Sequence, residues 1–140
     1  MSIFQFKYFK LEQSNTAHKV GTDALVLAAF VQAKNPKNIL DIGCGTGVLS
    51  LLMAQKFTDA AILGIDIQSE NVSLTAKNIA NSPFENRIAA KHSSFQTLLT
   101  TQKFDLIVCN PPFFNNSTKS EKSTRNLARQ DDTLSLKDWF

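Results

Sequence analysis

Two short stretches carry residue types that could do chemistry. The first is Asn38–Gly47, N-I-L-D-I-G-C-G-T-G, an apolar run (Ile39, Leu40, Ile42) leading into Gly43, Gly45 and Gly47, then Val48–Ala54 of helical composition. A buried strand feeding a glycine-rich turn and a helix is how open α/β sheets build a nucleotide site, because the helix start offers free N–H groups. The spacing is G-x-G-x-G, not the dinucleotide G-x-G-x-x-G. Asp41 precedes it, an acid poorly suited to pyrophosphate and well suited to a cationic ligand. The bland alternative is a tight turn with no ligand. The second stretch, Asn110-Pro111-Pro112-Phe113, closes the apolar run Phe104–Cys109. Pro112 has no N–H and stiffens the turn, and Phe113 offers a flat face on which a base can stack. A purely structural Pro-Pro turn is the alternative there. Asp66 lies about 20 residues past Gly47, where an acid ending a second strand can accept hydrogen bonds from ribose hydroxyls. It could equally start a turn or cap the next helix.

The elements that must position these residues follow from pattern. Phe4–Leu11 is aromatic and partly alternating, an extended segment or hairpin. Gln13–His18 is polar and turn-like. Thr22 is expected to cap a helix running to about Lys34, with Asp23 in its first turn, and its apolar residues Leu25–Val31 nearly encircle it, which predicts deep burial. Strands are expected at Ile39–Ile42, Ala61–Asp66, Arg87–Lys91 and Phe104–Cys109. Helices are expected after the glycine turn to about Lys56 and from Ser69 or Glu70 through Ile79. Alternation of strands and helices predicts a parallel, doubly wound α/β sheet.

Whole-chain totals set limits. The 140 residues suit one domain, and 43% apolar with 19% charged residues fits a globular chain. The longest apolar run, Ala24–Val31, is far short of a membrane span, and the N-terminus has no secretory pattern. Cys44 and Cys109 make neither a disulfide framework nor a zinc set, and His18 and His92 have no partners at metal spacing, so no metal is expected. A net charge of +3 permits a nucleic-acid partner without demanding one. A cytoplasmic location is expected.

The motif D-I-G-C-G-T-G resembles motif I of the class I S-adenosylmethionine-dependent methyltransferases, and N-P-P-F resembles motif IV of members that alkylate a planar amide or amino nitrogen. The resemblance implies a Rossmann-like, mostly parallel sheet with S-adenosyl-L-methionine as cofactor. Gly43, Cys44, Gly45 and Gly47 would lie under its methionine and ribose, Asp41 near its cationic end, and Asp66 and Ile67 beside it. Asn110, Pro111, Pro112 and Phe113 would be the catalytic group, with Asn110 also touching the cofactor. An exocyclic amine is a poor nucleophile because its lone pair is delocalised. The Asn110 side-chain oxygen and the Pro111 carbonyl would each accept one N–H and aim that lone pair at the methyl. Where the family commonly has an Asp after the third strand, this chain has Ser94, with Phe95 as an apolar contact.

Together with F-x-F-K-x-F at Phe4–Phe9 and Lys19-Val20-Gly21-Thr22-Asp23, these motifs are similar to bacterial tRNA adenine-N6 methyltransferases acting on the adenine just 3′ of the anticodon in a valine tRNA. That resemblance implies tRNA as partner and Lys19, Gly21, Thr22 and Asp23 near the methionine. Lys119, Lys122, Arg125 and Arg129 become candidate RNA contacts, against the alternative of a solvated loop. It divides the single domain 1–140 into a covering segment (1–35), a cofactor core with the catalytic turn (38–113) and a loop with the start of a helix (114–140). The family carries seven strands, so the chain is expected to be truncated after its fourth core strand. Two other readings stand beside this one: a glutamine-N5 methyltransferase of a release factor, and a non-catalytic cofactor- or RNA-binding module.

Overall fold

The computed structural model describes residues 2–14 and 20–111. The chain divides into two units, one up to Asn110, which is compact, and a second from Pro111. Lys19, Pro112, Phe113, Lys119, Lys122, Arg125, Arg129 and the whole 114–140 segment lie outside the described residues.

The N-terminal aromatic stretch is a hairpin of β1 (Ser2–Gln5) and β2 (Lys10–Gln13), paired antiparallel. Phe6 stacks on Phe9 at 4.5 Å, and Phe9 meets Phe84 edge-on at 6.2 Å. Phe9 and Leu11 thereby enter the main core.

Four parallel strands form the central sheet: β3 (Asn38–Ile42), β4 (Ala61–Asp66), β5 (Ile88–His92) and β6 (Leu106–Cys109), in the order β5-β4-β3-β6. β3 is central, and Ile39, Leu40, Asp41 and Ile42 are all buried, as a strand covered on both faces requires. The chain steps one way across the sheet through α2 (Val48–Lys56) and α3 (Ser69–Ala80), then returns to place β6 on the other side of β3. The direction of winding therefore reverses between β3 and β6. Asp105 helps fix that junction: its carboxylate accepts the N–H groups of Lys37 (2.7 Å) and Asn38 (2.9 Å), the Asn38 bond foremost in holding its pKa below the usual carboxylate range.

Two expectations need correction. The helix α1 spans Thr22–Phe30, with Gly21 rather than Thr22 at its N-cap and no side-chain cap bond. It stops short of Lys34 because the backbone leaves the helix at Val31 (ψ 125), and Lys56 Nζ donates to the freed carbonyls of Ala28 (2.9 Å) and Ala29 (3.0 Å). Nor is α1 deeply buried: Ala24 and Ala28 alone are buried, while Val26 is 54% and Phe30 79% exposed. The encircled helix is α2, where Val48, Leu49, Ser50, Leu51, Met53 and Ala54 are all buried. Smaller shifts occur at strand ends, where Arg87 belongs to a 3-10 turn (Glu85–Arg87) and β6 begins at Leu106.

Candidate active site

Where a parallel sheet reverses its winding, the loops at the strands' carboxyl ends separate and leave a crevice for ligands. Here the loops flanking that point are the glycine turn after β3 and Asn110 after β6. Ile42 and Cys109 are register partners, so Gly43 and Asn110 leave the same edge of adjacent strands, whose spacing is about 4.8 Å. The two motifs singled out in the sequence meet through Asn110, which is partly buried. Pro111 is exposed and belongs to the second unit.

The turn is held by backbone and side-chain bonds on several sides. The N–H groups of Gly43 (2.8 Å) and Cys44 (2.9 Å) both reach the Ile65 carbonyl, and Gly47 N–H reaches Cys44 O at 2.7 Å. Gly43 has φ +72 and faces open space, since a Cβ there would meet nothing within 4 Å. Gly47 has φ +83, and its Cβ would fall 2.9 Å from Thr75 Cγ2. One glycine thus keeps a face open and the other lets α3 approach. Gly47 is also the left-handed N-cap of α2 and makes no side-chain cap bond, so the helix start is a ready set of donors.

Asp41 lies beneath the turn, 1% exposed. Its Oδ2 accepts the Ser50 hydroxyl at 2.6 Å, whereas Oδ1 has no partner among the described residues. Burial, reinforced by the charge of Asp66, raises its pKa to about 6 despite the Ser50 bonds. A buried acid with an orphaned oxygen is suited to a cation or donor arriving at the turn, as the amino and sulfonium groups of S-adenosylmethionine would supply. Cys44 is a spectator by contrast: burial first, then Asp41, pushes its thiol pKa far up, so it stays protonated and unreactive.

Asp66 ends β4 and already serves protein donors. Its Oδ2 accepts Gly45 N–H at 2.9 Å, and Oδ1 accepts Gln68 N–H at 2.9 Å and Asn71 Nδ2 at 3.2 Å. The turn-starting role is therefore real, and about one of a carboxylate's four acceptor directions remains for a ligand. The same edge continues across β5: Asp66 pairs in register with His92, and Ser93 N–H bonds Asp66 O at 3.0 Å. Ser94 Oγ holds the following bend through Thr97 Oγ1 (2.6 Å) and Thr97 N–H (3.2 Å), which leaves Phe95, partly buried, as the neighbouring apolar group. The Ile67 carbonyl lies 2.9 Å from His92 Nε2.

Gly21, Thr22 and Asp23 are exposed at the start of α1. Their link to the turn is indirect. Val20 N–H bonds Gln13 Oε1 at 2.9 Å, and the adjoining Glu12 is bonded by Asn78, whose amide also reaches Thr46 O. Sequence reading missed four residues here: Ser50, Gly64, Thr75 and Asn78. Gly64 was findable, because an isolated glycine inside a strand marks a close approach. A Cβ there would fall 3.0 Å from Cys44 Cβ and 3.1 Å from Ser50 Oγ. Among the described residues, no cluster could hold a metal, and no helix is long and apolar enough to cross a membrane.

The Methyltransferase small domain family matches residues 14–135. A Vibrio parahaemolyticus protein called tRNA1(Val) (adenine(37)-N6)-methyltransferase is 39% identical over 94% of this chain and 55% of its own length. A Parabacteroides distasonis protein of the same name is 44% identical over 96% of this chain and 57% of its own length. The chain thus spans little more than half the length of these relatives. Among solved structures, P. horikoshii TYW2 in complex with MeSAdo has a TM-score of 0.58 at 18% identity, over 70% of this chain and 38% of that one. An O-methyltransferase of Brevibacillus brevis in complex with S-adenosyl-L-homocysteine has a TM-score of 0.55 at 19% identity, over 63% and 30%. Both are likenesses of fold.

Proposed function

The chain belongs to the Methyltransferase small domain family, and from that premise we propose that it is the cofactor-holding part of an S-adenosylmethionine-dependent enzyme methylating N6 of the adenine just 3′ of the anticodon in a valine tRNA. The observation that carries this reading is the juxtaposition of the glycine turn with Asn110 at the point where the sheet reverses. The names of the relatives favour RNA over a release-factor glutamine.

S-adenosylmethionine, when bound, supplies a methyl group made electrophilic by its sulfonium. The protein's task is mostly placement. Asp41 supplies negative charge beneath the turn, and the start of α2 supplies N–H donors for a carboxylate. Asp66 takes a ribose hydroxyl with its remaining acceptor direction. Gly21, Thr22 and Asp23, with Lys19, close over the methionine end, and Ile67, Ser94 and Phe95 border the adenine. Asn110 accepts an N–H of the target amine, with the Pro111 carbonyl taking the other, so that orientation rather than a strong base lowers the barrier. Pro112 keeps that turn stiff, and Phe113 stacks on a base drawn from its helix or loop. Lys119, Lys122, Arg125 and Arg129 hold phosphates.

The test is incubation with unmodified valine tRNA and methyl-labelled cofactor, followed by mass mapping of nucleosides. The reading expects label in N6-methyladenosine beside the anticodon. Label in a different nucleoside of that tRNA, or in a release-factor glutamine when the release factor is offered in a parallel reaction, would overturn it.

A further inference from the structure

The glycine turn is gripped from α3 by two side chains that no sequence motif points to. Thr75 Oγ1 donates to Gly45 O at 2.9 Å, and Asn78 Nδ2 donates to Thr46 O at 2.8 Å. They lie three residues apart on one face of the helix, so they present donors side by side, and both are at most 1% exposed. In a trans peptide the C=O and the following N–H point in opposite directions. Holding the Gly45 carbonyl against α3 therefore directs the Thr46 N–H away from α3. Asn78 does more. Its Oδ1 accepts Glu12 N–H at 2.8 Å, and its Nδ2 also donates to Glu12 O at 2.9 Å, the two-way pattern of a β-ladder partner. One buried amide thus ties strand β2 to the turn.

We propose that Thr75 and Asn78 are positioning residues for the cofactor, fixing the peptide planes of Gly45 and Thr46 so that the turn is set before a ligand arrives, with β2 joined to the same grip. This inference rests on the reading of the turn as a cofactor site. The hydroxyl of Thr75, not its bulk, is the working part, and its methyl group separately fills the space left by Gly47.

The experiment titrates S-adenosylhomocysteine calorimetrically into the 140-residue chain and its Thr75→Val, Thr75→Ser and Lys77→Ala variants, with amide hydrogen exchange of residues 43–47 measured without ligand. Thr75→Val keeps the shape and loses the donor; it is expected to weaken binding about tenfold and speed exchange in the turn, the scale of one lost buried hydrogen bond. Thr75→Ser keeps the donor and should stay within about threefold of the parent. Lys77→Ala removes an α3 side chain that pairs with the Glu12 carboxylate of β2 and touches neither carbonyl of the turn, and it should change neither readout. Asn78→Asp, if it folds, should match or exceed Thr75→Val. Parent-like binding and exchange in Thr75→Val would overturn the inference, as would a Thr75→Ser variant as weak as Thr75→Val. Absence of binding by the parent chain would sink the cofactor reading, while the exchange measurement would still decide the grip on its own.

Discussion

The glycine turn and the end of β6 adjoin, yet they are built in opposite ways. Around the turn, the N–H groups of Gly43, Cys44 and Gly45 and the carbonyls of Gly45 and Thr46 are all bonded to β4 or α3. Asn110 instead follows a four-residue strand that, among the described residues, pairs on one side only and leaves Ile107 47% exposed. The glycine turn is organised during folding, so a ligand binding there need not bear the cost of ordering it. The end of β6 is held by pairing with one strand among the described residues.

That contrast can be broken or sharpened by separating affinity from turnover. The largest effect is expected for Asn110→Ala in a methylation assay: a loss of about 10²–10³ in turnover, typical of removing one oriented polar group, with S-adenosylhomocysteine affinity within about twofold. Equal losses in both would erase the distinction between the two ends. Next comes Gly47→Ala, which meets both a positive φ and the Thr75 methyl at 2.9 Å. It should destabilise the chain by roughly 2 kcal/mol and weaken cofactor-analogue binding more than Gly43→Ala, where strain alone acts, at about 1 kcal/mol. Denaturant titration and calorimetry would expose the reverse order.

A third effect is on pH. Folding raises the Asp41 pKa from 3.8 to about 6. The folded state therefore holds a proton that the unfolded state has lost between those values, so this group's contribution to stability declines as pH rises from about 4 through 6. Cationic ligands prefer the ionised form. Affinity for S-adenosylhomocysteine, through its ammonium, should then climb about tenfold from pH 5 to pH 7 with proton release near pH 6, and Asp41→Asn should flatten the profile. A profile unchanged by that substitution would remove Asp41 from the ligand's neighbourhood. The smallest effect is at Lys77→Ala, whose half-exposed ammonium pairs with Glu12 and is worth under about 1 kcal/mol in a melting experiment.

Much of this was legible in the sequence. The β3–turn–α2 unit, Asp66 and Asn110 could be read because strands end in glycine, an acid or a proline, signals carried by a few consecutive residues. The supports of the turn could not. Ser50, Thr75 and Asn78 act on residues 9 to 66 positions away, and a polar side chain on a helix says nothing locally about which distant carbonyl it meets. Helix α1 misled for a related reason: apolar residues all round predict burial, but the chain leaves the helix at Val31 and its Val26 and Phe30 face outward. Burial depends on what stands opposite, and that is a tertiary fact.

The central claim is that the glycine turn and Asn110 border one ligand site, and backbone and side-chain amide resonances can report on it residue by residue. On adding S-adenosylhomocysteine to the isotopically labelled chain, the account expects the largest shifts at Gly43–Gly47, at Asp66 and at the Asn110 side-chain amide, with the β1–β2 tip at Phe6–Phe9 little moved. Shifts centred on that tip or on the outer face of α1, with Asn110 silent, would contradict it.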